Sequence, residues 1–364
     1  MLSGCASIPA SGPTSHDIVR SVRAEQNQIG MRLVDIDPTV ISDLDVRNEA
    51  ADHRVSTIAS LALSASNDVV GPGDVLSVGI YEVGASLFQG GRSSLQGDVQ
   101  PSASSENFPN VVVARDGTIK LPYAGTLQVA GLTPAEIQAR VEHAYLGKSQ
   151  SLQAIVLVKE NLSQTIYVSG DVRRPGRINL SLQRERLLDA IASAGGSVTQ
   201  TQDMVVRFVR GGQVVEERLD RIQAGAPDDL VLVAGDRIEL VREPQTFTVF
   251  GAVGKVSQVS FDQTDLTLAE AVARAGGPND ATANPRAVYL FRFDPPVELG
   301  QKGAPTIYRL DMMQPQDYFL AQHFAMRNKD VLYVSNAAIN RTAKFVAIIN
   351  QLFSPFVAAR TVAQ

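Results

Sequence analysis

The chain is 364 residues long and 44% hydrophobic, with 33 basic against 38 acidic side chains and a formal net charge of −5. That length and apolar content are enough to fill two or three cored domains, and the acidic balance argues against nucleic acid as a partner. No uninterrupted apolar run reaches the roughly 18 residues of a lone spanning helix, and tryptophan, common in interfacial belts, is absent.

Cysteine occurs once, at Cys5, within Leu2-Ser3-Gly4-Cys5-Ala6-Ser7. One cysteine excludes an internal disulfide framework and any multi-cysteine metal site. The string resembles the lipobox of bacterial lipoproteins, whose cysteine becomes the acylated first residue, so Cys5 is the candidate lipid attachment site. The four preceding residues hold no charged start and no apolar core, which reads as a shortened leader or a misplaced start codon. The plainer alternative is a free thiol near a loose terminus. Residues 6–15 have the composition of a tether, and 1–15 is assigned to lipobox and tether.

Residues 16–66 mix helix-like and strand-like pieces, including Met31–Ile36, and carry no usable motif. A first clear domain spans 67–162. Gly71-Pro72-Gly73-Asp74 is a turn, and Val75–Tyr81 alternates as a strand. Residues 84–109, rich in Gly, Ser and Gln, read as a long loop. Asp116-Gly117, between Val111–Arg115 and Thr118–Leu121, signals a hairpin. Thr133-Pro134-Ala135-Glu136 opens a helix with a capping box and Pro at its first position; Ile137, Val141 and Tyr145 supply its buried face. Leu152–Val158 is the closing strand.

An internal repeat comes next in the chain. Val168-Ser169-Gly170-Asp171-Val172 corresponds to Val249-Phe250-Gly251-Ala252-Val253, and Leu187–Gly196 to Leu268–Gly277. Gly170 and Gly251, like Gly195 and Gly276, stand 81 residues apart. Each unit, assigned to 163–243 and 244–335, reads strand, turn, strand, helix, further strands. The glycine pairs Gly195-Gly196 and Gly276-Gly277 end their helices, where the dipole disfavours anions, so they read as caps rather than phosphate loops.

The last 29 residues, 336–364, read as a helix. At 100° per residue, Asn336, Asn340, Ala343, Ala347, Asn350, Gln351, Ser354, Ala358 and Thr361 form one narrow stripe. Phe345, Val346, Ile348, Ile349, Leu352, Phe353 and Phe356 cover the wider remaining arc. Such a helix buries its arc in protein or lipid; several copies in a ring would put lipid outside and a watery lumen against the stripe. From periodicity alone, packing on the chain's own β domains is the simpler reading. The apolar span Phe345–Val357 is about 20 Å long at 1.5 Å per residue, and Pro355 implies a kink.

These features together resemble the Wza-type outer-membrane polysaccharide export proteins. Gly71–Leu76, Asp116–Pro122 and Gly131–Glu136 match the family's export signature, and the 81-residue repeats look like tandem SLBB β-grasp domains. The lipobox and terminal helix sit where the family places them. The resemblance implies an α+β fold: an export domain, two SLBB repeats and a C-terminal amphipathic transmembrane helix. It further implies a lipid-anchored outer-membrane channel with a large periplasmic part, commonly eight subunits, docking on an inner-membrane polysaccharide co-polymerase. It also reverses the periodicity reading of the tail. Asn336, Asn340, Ala343, Ala347, Asn350, Gln351, Ser354 and Ala358 are then pore-lining, and Phe345, Ile348, Ile349, Leu352, Phe353 and Phe356 lipid-facing.

Catalytic constellations do not emerge. His16, His53, His143 and His323 lack ligand spacing, and neither a nucleophile elbow nor a Walker loop occurs. Asp189 and Glu270, at equivalent positions of the repeat helices, read as exposed helix residues rather than an acid–base pair. No metal, cofactor or enzymatic step is expected. The alternative function is a periplasmic glycan-binding or scaffolding lipoprotein without its own pore, its helix flat on the membrane; the stripe's lack of Lys and Arg, apart from Lys344 at its edge, weighs against that.

Overall fold

The computed structural model describes residues 12–24, 27, 29–52, 57–63, 68–83, 87–88, 103–149, 152–294 and 304–337, and within them the chain is α+β. Two units divide it: one runs Ser56–Glu243, and the other joins the residues before it to those from Pro244 onward. Helix α1 (Ser15–Arg23) starts on a reciprocal cap, Thr14 Oγ1 accepting the Asp17 N–H at 3.3 Å and Asp17 Oδ2 accepting the Thr14 N–H at 2.9 Å. Strand β1 (Arg32–Asp35) falls on the strand-like stretch at Met31–Ile36, and α2 (Pro38–Asp52) comes after it. Among the described residues, no helix is long and apolar enough to cross a membrane.

In the Ser56–Glu243 unit, β2 (Val75–Val83) pairs antiparallel with β3 (Ala103–Val112). Strands β4 (Thr118–Leu121) and β5 (Gly125–Gln128) form a separate ribbon. Helix α3 (Pro134–Ala144) then leads to β6 (Leu152–Glu160), which completes a sheet in the order β3-β2-β6. Leu76, Val78 and Ile80, alternating along β2, bury fully with Ile137 and Val141 of α3 and Tyr145 at its C-cap, the face expected from spacing. Two sequence expectations fail here. Residues 84–109 are not all loop, because β3 already begins at Ala103. The Asp116-Gly117 turn does not fold β3 onto β4 either. Asp116 Oδ1 accepts from the Thr118 N–H and hydroxyl at 3.1 and 2.7 Å, and the Gly117 carbonyl accepts the N–H groups of Val129 and Ala130, so the chain enters the β4–β5 ribbon.

Asp74, buried at the turn before β2, ties this sheet to the chain beyond β6. It accepts the N–H groups of Gly71 at 2.7 Å, Leu162 at 2.8 Å and Ser163 at 2.7 Å, and the Ser163 hydroxyl at 2.8 Å.

The first repeat comprises β7 (Thr165–Gly170), β8 (Gly176–Asn179), α4 (Leu187–Ser193), β9 (Met204–Arg210), β10 (Gln213–Arg218) and β11 (Arg237–Arg242), with sheet order β10-β9-β11-β7-β8. The second returns the same series as β12 (Thr246–Gly251), β13 (Ser257–Ser260), α5 (Leu268–Arg274), β14 (Ala283–Asp294) and β15 (Ala304–Leu310), then α6 (Pro315–His323) and β16 (Val331–Asn336). Its order, β1-β15-β14-β16-β12-β13, is that of the first repeat with β1 added parallel to β15. In each repeat the first strand lies parallel to the last. Helices α4 and α5 close on their glycines: Gly195 and Gly196 donate to Ala192 and Ile191, and Gly276 and Gly277 to Ala273 and Val272. All four glycines have positive φ, so they are caps. Each repeat also buries an arginine against the aspartate before its last strand. Arg210 meets Asp236, and Arg292 meets Asp330, each through two bonds of 2.9 and 2.6 Å.

Gly170 (φ +81°) and Gly251 (φ +92°) are required by the parallel pairing, since a Cβ there would lie 2.0 Å from the Leu240 or Val334 carbonyl oxygen. Gly170→Ala and Gly251→Ala should therefore each destabilise their repeat by more than about 2 kcal/mol, read by calorimetry. The cap of α5 is pH-sensitive. Bonds from the Thr267 N–H and the Gln263 side chain hold the Glu270 carboxyl below its usual range. Its stabilisation is present above the ordinary Glu pKa and is lost as pH falls through the depressed folded value. The penalty of Glu270→Gln at neutral pH should accordingly vanish in acid, measured by denaturant unfolding.

Candidate functional site

The sequence places its candidate function at the two ends of the chain, and the structure brings the described parts of those ends together. Thr14 bridges to Asn336 in parallel, alongside the end of β16. Tyr333 Oη donates to the Pro13 carbonyl at 2.6 Å, and Ser15 Oγ lies 2.7 Å from Tyr289 Oη. Gly12, at φ +112°, leaves room for the Tyr333 ring; a Cβ there would stand 2.6 Å from its hydroxyl oxygen. Beneath these contacts Ile18 of α1 packs with Ala287, Tyr289, Ile307 and Tyr333 on the outward face of the second repeat's sheet. Burial, with the Asp17 carboxylate adding to it, pushes the Tyr333 phenol up to about 12, so it stays a hydrogen-bond donor throughout the neutral range.

Asn336 corrects the sequence reading. It was expected on the pore-lining stripe of the terminal helix, yet it closes β16, paired with Ala283 and 8% exposed. The strand ladder extends past the expected boundary because Thr14 on one side and Ala283 on the other continue its pairing. Among the described residues its Nδ2, and Oγ of the neighbouring Ser335, are buried without a hydrogen-bond partner. Cys5, the stripe residues Asn340, Ala343, Ala347, Asn350, Gln351, Ser354 and Ala358, and the arc Phe345, Ile348, Ile349, Leu352, Phe353 and Phe356 lie outside the described residues.

Asp189 and Glu270 each close the capping box of their own helix, accepting the N–H of Arg186 and of Thr267. His16 and His323 engage Arg20 and the Phe319 carbonyl, and no group of three metal-binding side chains occurs among the described residues. The clamp of Gly12, Pro13, Tyr289 and Tyr333 was not foreseen. Its one local signal is Thr14-Ser15-His16-Asp17, the pattern of a capped helix start.

Comparison with known proteins bears on the domains rather than on the clamp. Residues 62–159 match the family described as polysaccharide biosynthesis/export protein, and residues 164–239 and 245–334 each match the SLBB domain. The capsule polysaccharide export protein BexD of Haemophilus influenzae is 32% identical over 375 residues, covering 97% of this chain and 93% of that protein. The capsule polysaccharide export outer membrane protein CtrA of Neisseria meningitidis is 33% identical over 374 residues, covering 98% and 92%. The EPS I polysaccharide export outer membrane protein EpsA of Ralstonia solanacearum is 31% identical over 301 residues, covering 81% and 78%.

Gly12→Val should detach the N-terminal segment, through both the clash with Tyr333 and the strained backbone. Amide hydrogen exchange should rise at residues 14–18 while residues 246–251 stay protected. Tyr333→Phe should act the same way more weakly, by about 1 kcal/mol for one lost hydrogen bond.

Proposed function

The chain belongs to the polysaccharide biosynthesis/export family, and from that premise we propose that it carries capsular or extracellular polysaccharide from the periplasm across the outer membrane. One observation carries this reading. The alignment with named capsule exporters runs over nearly the whole chain, through an export domain followed by two SLBB domains. Its relatives are named for export rather than for catalysis, and its work on the polymer is conduction.

The pore is built from residues 338–364 of several copies. Asn340, Asn350, Gln351 and Ser354 offer hydrogen bonds and no charge to a hydrated chain, and Phe345, Ile348, Ile349, Leu352, Phe353 and Phe356 face lipid. The small residues Ala343, Ala347 and Ala358 let neighbouring helices approach closely. An octamer follows from the resemblance, as does an inner-membrane co-polymerase beneath it. An acyl group on Cys5 is part of the same proposal. The nine residues from Cys5 to Thr14 reach at most about 32 Å, and Thr14 lies beside Asn336. That reach allows lipid anchor and tail to meet one membrane surface, the two-signal attachment that makes binding stable.

A strain lacking the gene should lose surface polysaccharide and regain it with the wild-type chain. Leu352→Asp should fail to restore it, because a carboxylate at the bilayer centre costs about 2.5–3.5 kcal/mol on insertion scales. Normal surface polymer in the deletion strain would overturn the export reading; full restoration by Leu352→Asp would overturn the pore assignment alone.

A further inference from the structure

The outward faces of the two repeats differ in a way the shared fold does not require. On the second repeat, Tyr289, Ile307 and Tyr333 are covered by α1 and the segment before it. On the first, the corresponding face is open around Tyr167, Arg177, Arg237 and Val214 among the described residues. One row there crosses all five strands: Val214 on β10, Val209 on β9, Arg237 on β11, Tyr167 on β7 and Arg177 on β8. At ~4.8 Å between strands the row is about 19 Å wide. Tyr167 is 40% exposed and Val214 57%, and both arginines are exposed.

The row has a specific chemistry. Arg177 and Arg237 flank the Tyr167 ring, their guanidinium carbons 5.2 and 5.7 Å from its centroid, and Arg177 Nη2 donates to Tyr167 Oη at 2.9 Å. Neither arginine has a carboxylate partner among the described residues. The next row shows how this sheet neutralises a cation: Arg207 is held by both Glu216 at 2.7 Å and Glu239 at 2.9 Å. The second repeat supplies an internal control. The positions equivalent to Tyr167, Arg177 and Arg237 are Thr248, Gln258 and Val331, joined by the same pairings. The fold thus forms without the aromatic ring or either charge.

We propose that Arg177, Tyr167 and Arg237 form a binding site for acidic sugar residues, the two guanidiniums taking a sugar carboxylate while Val209 and Val214 lie against the apolar face of a neighbouring ring. The site rests on the export reading and adds to it a preference for carboxylated polymer. Charge complementarity favours this occupant. Forked guanidiniums match a carboxylate in two bonds, and the exposed phenol and valines suit an amphipathic ring better than a lipid headgroup.

The test uses the full chain purified in detergent and fluorescently labelled oligogalacturonate, with maltoheptaose as neutral probe and phosphatidylglycerol vesicles as anionic surface. Oligogalacturonate should bind, more weakly as salt rises, while maltoheptaose does not. Arg177→Gln with Arg237→Gln should weaken binding at least about tenfold, the loss of one or two charge-assisted bonds. The melting temperature should stay unchanged, and the double Lys variant should recover part of the affinity. Equal binding by the double Gln variant, equal binding of maltoheptaose, or capture of vesicles without oligogalacturonate would each overturn the site. So would a lower particle mass in the double Gln variant, which would assign the face to a second copy. Export is scored separately. A wild type that restores surface polymer in the deletion strain but ignores oligogalacturonate removes this site and leaves the export reading standing.

Discussion

A carboxylate buried beside a tight turn recurs in all three folded parts of this chain, and the strands around it depend on it. Asp74, Asp236 and Asp330 each accept the N–H of the residue three positions before, in Gly71, Val233 and Arg327. The residue just ahead of each has a positive φ: Gly73, Gly235 and, in the second repeat, Lys329. The remaining capacity of each carboxylate then fixes something distant. Asp74 holds Leu162 and Ser163 at the entrance to the first repeat, while Asp236 and Asp330 hold Arg210 and Arg292. A buried charge stripped of its partner is strongly unfavourable, so a turn, a last strand and a middle strand stand or fall together. Arg210 also donates to the Leu61 and Val231 carbonyls, and Arg292 to that of Ala325, so each pair organises backbone as well as charge.

What was legible in the sequence was what is local. The α3 capping box at Thr133 and Glu136 and the glycine caps of α4 and α5 depend on residues within a few positions of one another, and the 81-residue echo repeats such local strings. The Arg210–Asp236 and Arg292–Asp330 pairs were not seen, since nothing in composition marks partners 26 and 38 residues apart. Strand β3 was hidden by its own sequence: Ala103–Asn110 carries few β-branched residues, and its pairing with β2 overrides propensity. The Asp116-Gly117 turn was found, but its strands were misassigned, because a turn signal does not say which ladder claims each arm. Asn336 fell on the wrong side of a boundary for a similar reason. Its partners, Thr14 and Ala283, are remote in sequence.

The two repeats show how one fold takes on two duties. Both keep the parallel first and last strands, the left-handed glycine and the buried arginine. The second adds β1 at its sheet edge and α6 before its last strand, and the outward faces differ in what they meet. The second repeat gives that face to the N-terminal segment, with tyrosines 289 and 333 as its anchoring points. Among the described residues the first leaves the row through Tyr167 exposed and sets that ring between two cations.

Strand β1 has a consequence for the order in which the molecule can be made. Arg32–Asp35 completes a sheet by lying against Thr306–Arg309, 274 residues later. A ribosome delivers the early edge long before its neighbour exists, and the whole Ser56–Glu243 unit emerges in between. The continuous unit can mature while the discontinuous one waits, its opening segment unpaired until synthesis is nearly finished. Closing so long a loop is slow, and prior compaction of the intervening residues shortens the effective distance. Truncated chains ending before about residue 310 would leave that early strand an orphan and a natural mark for quality-control proteases.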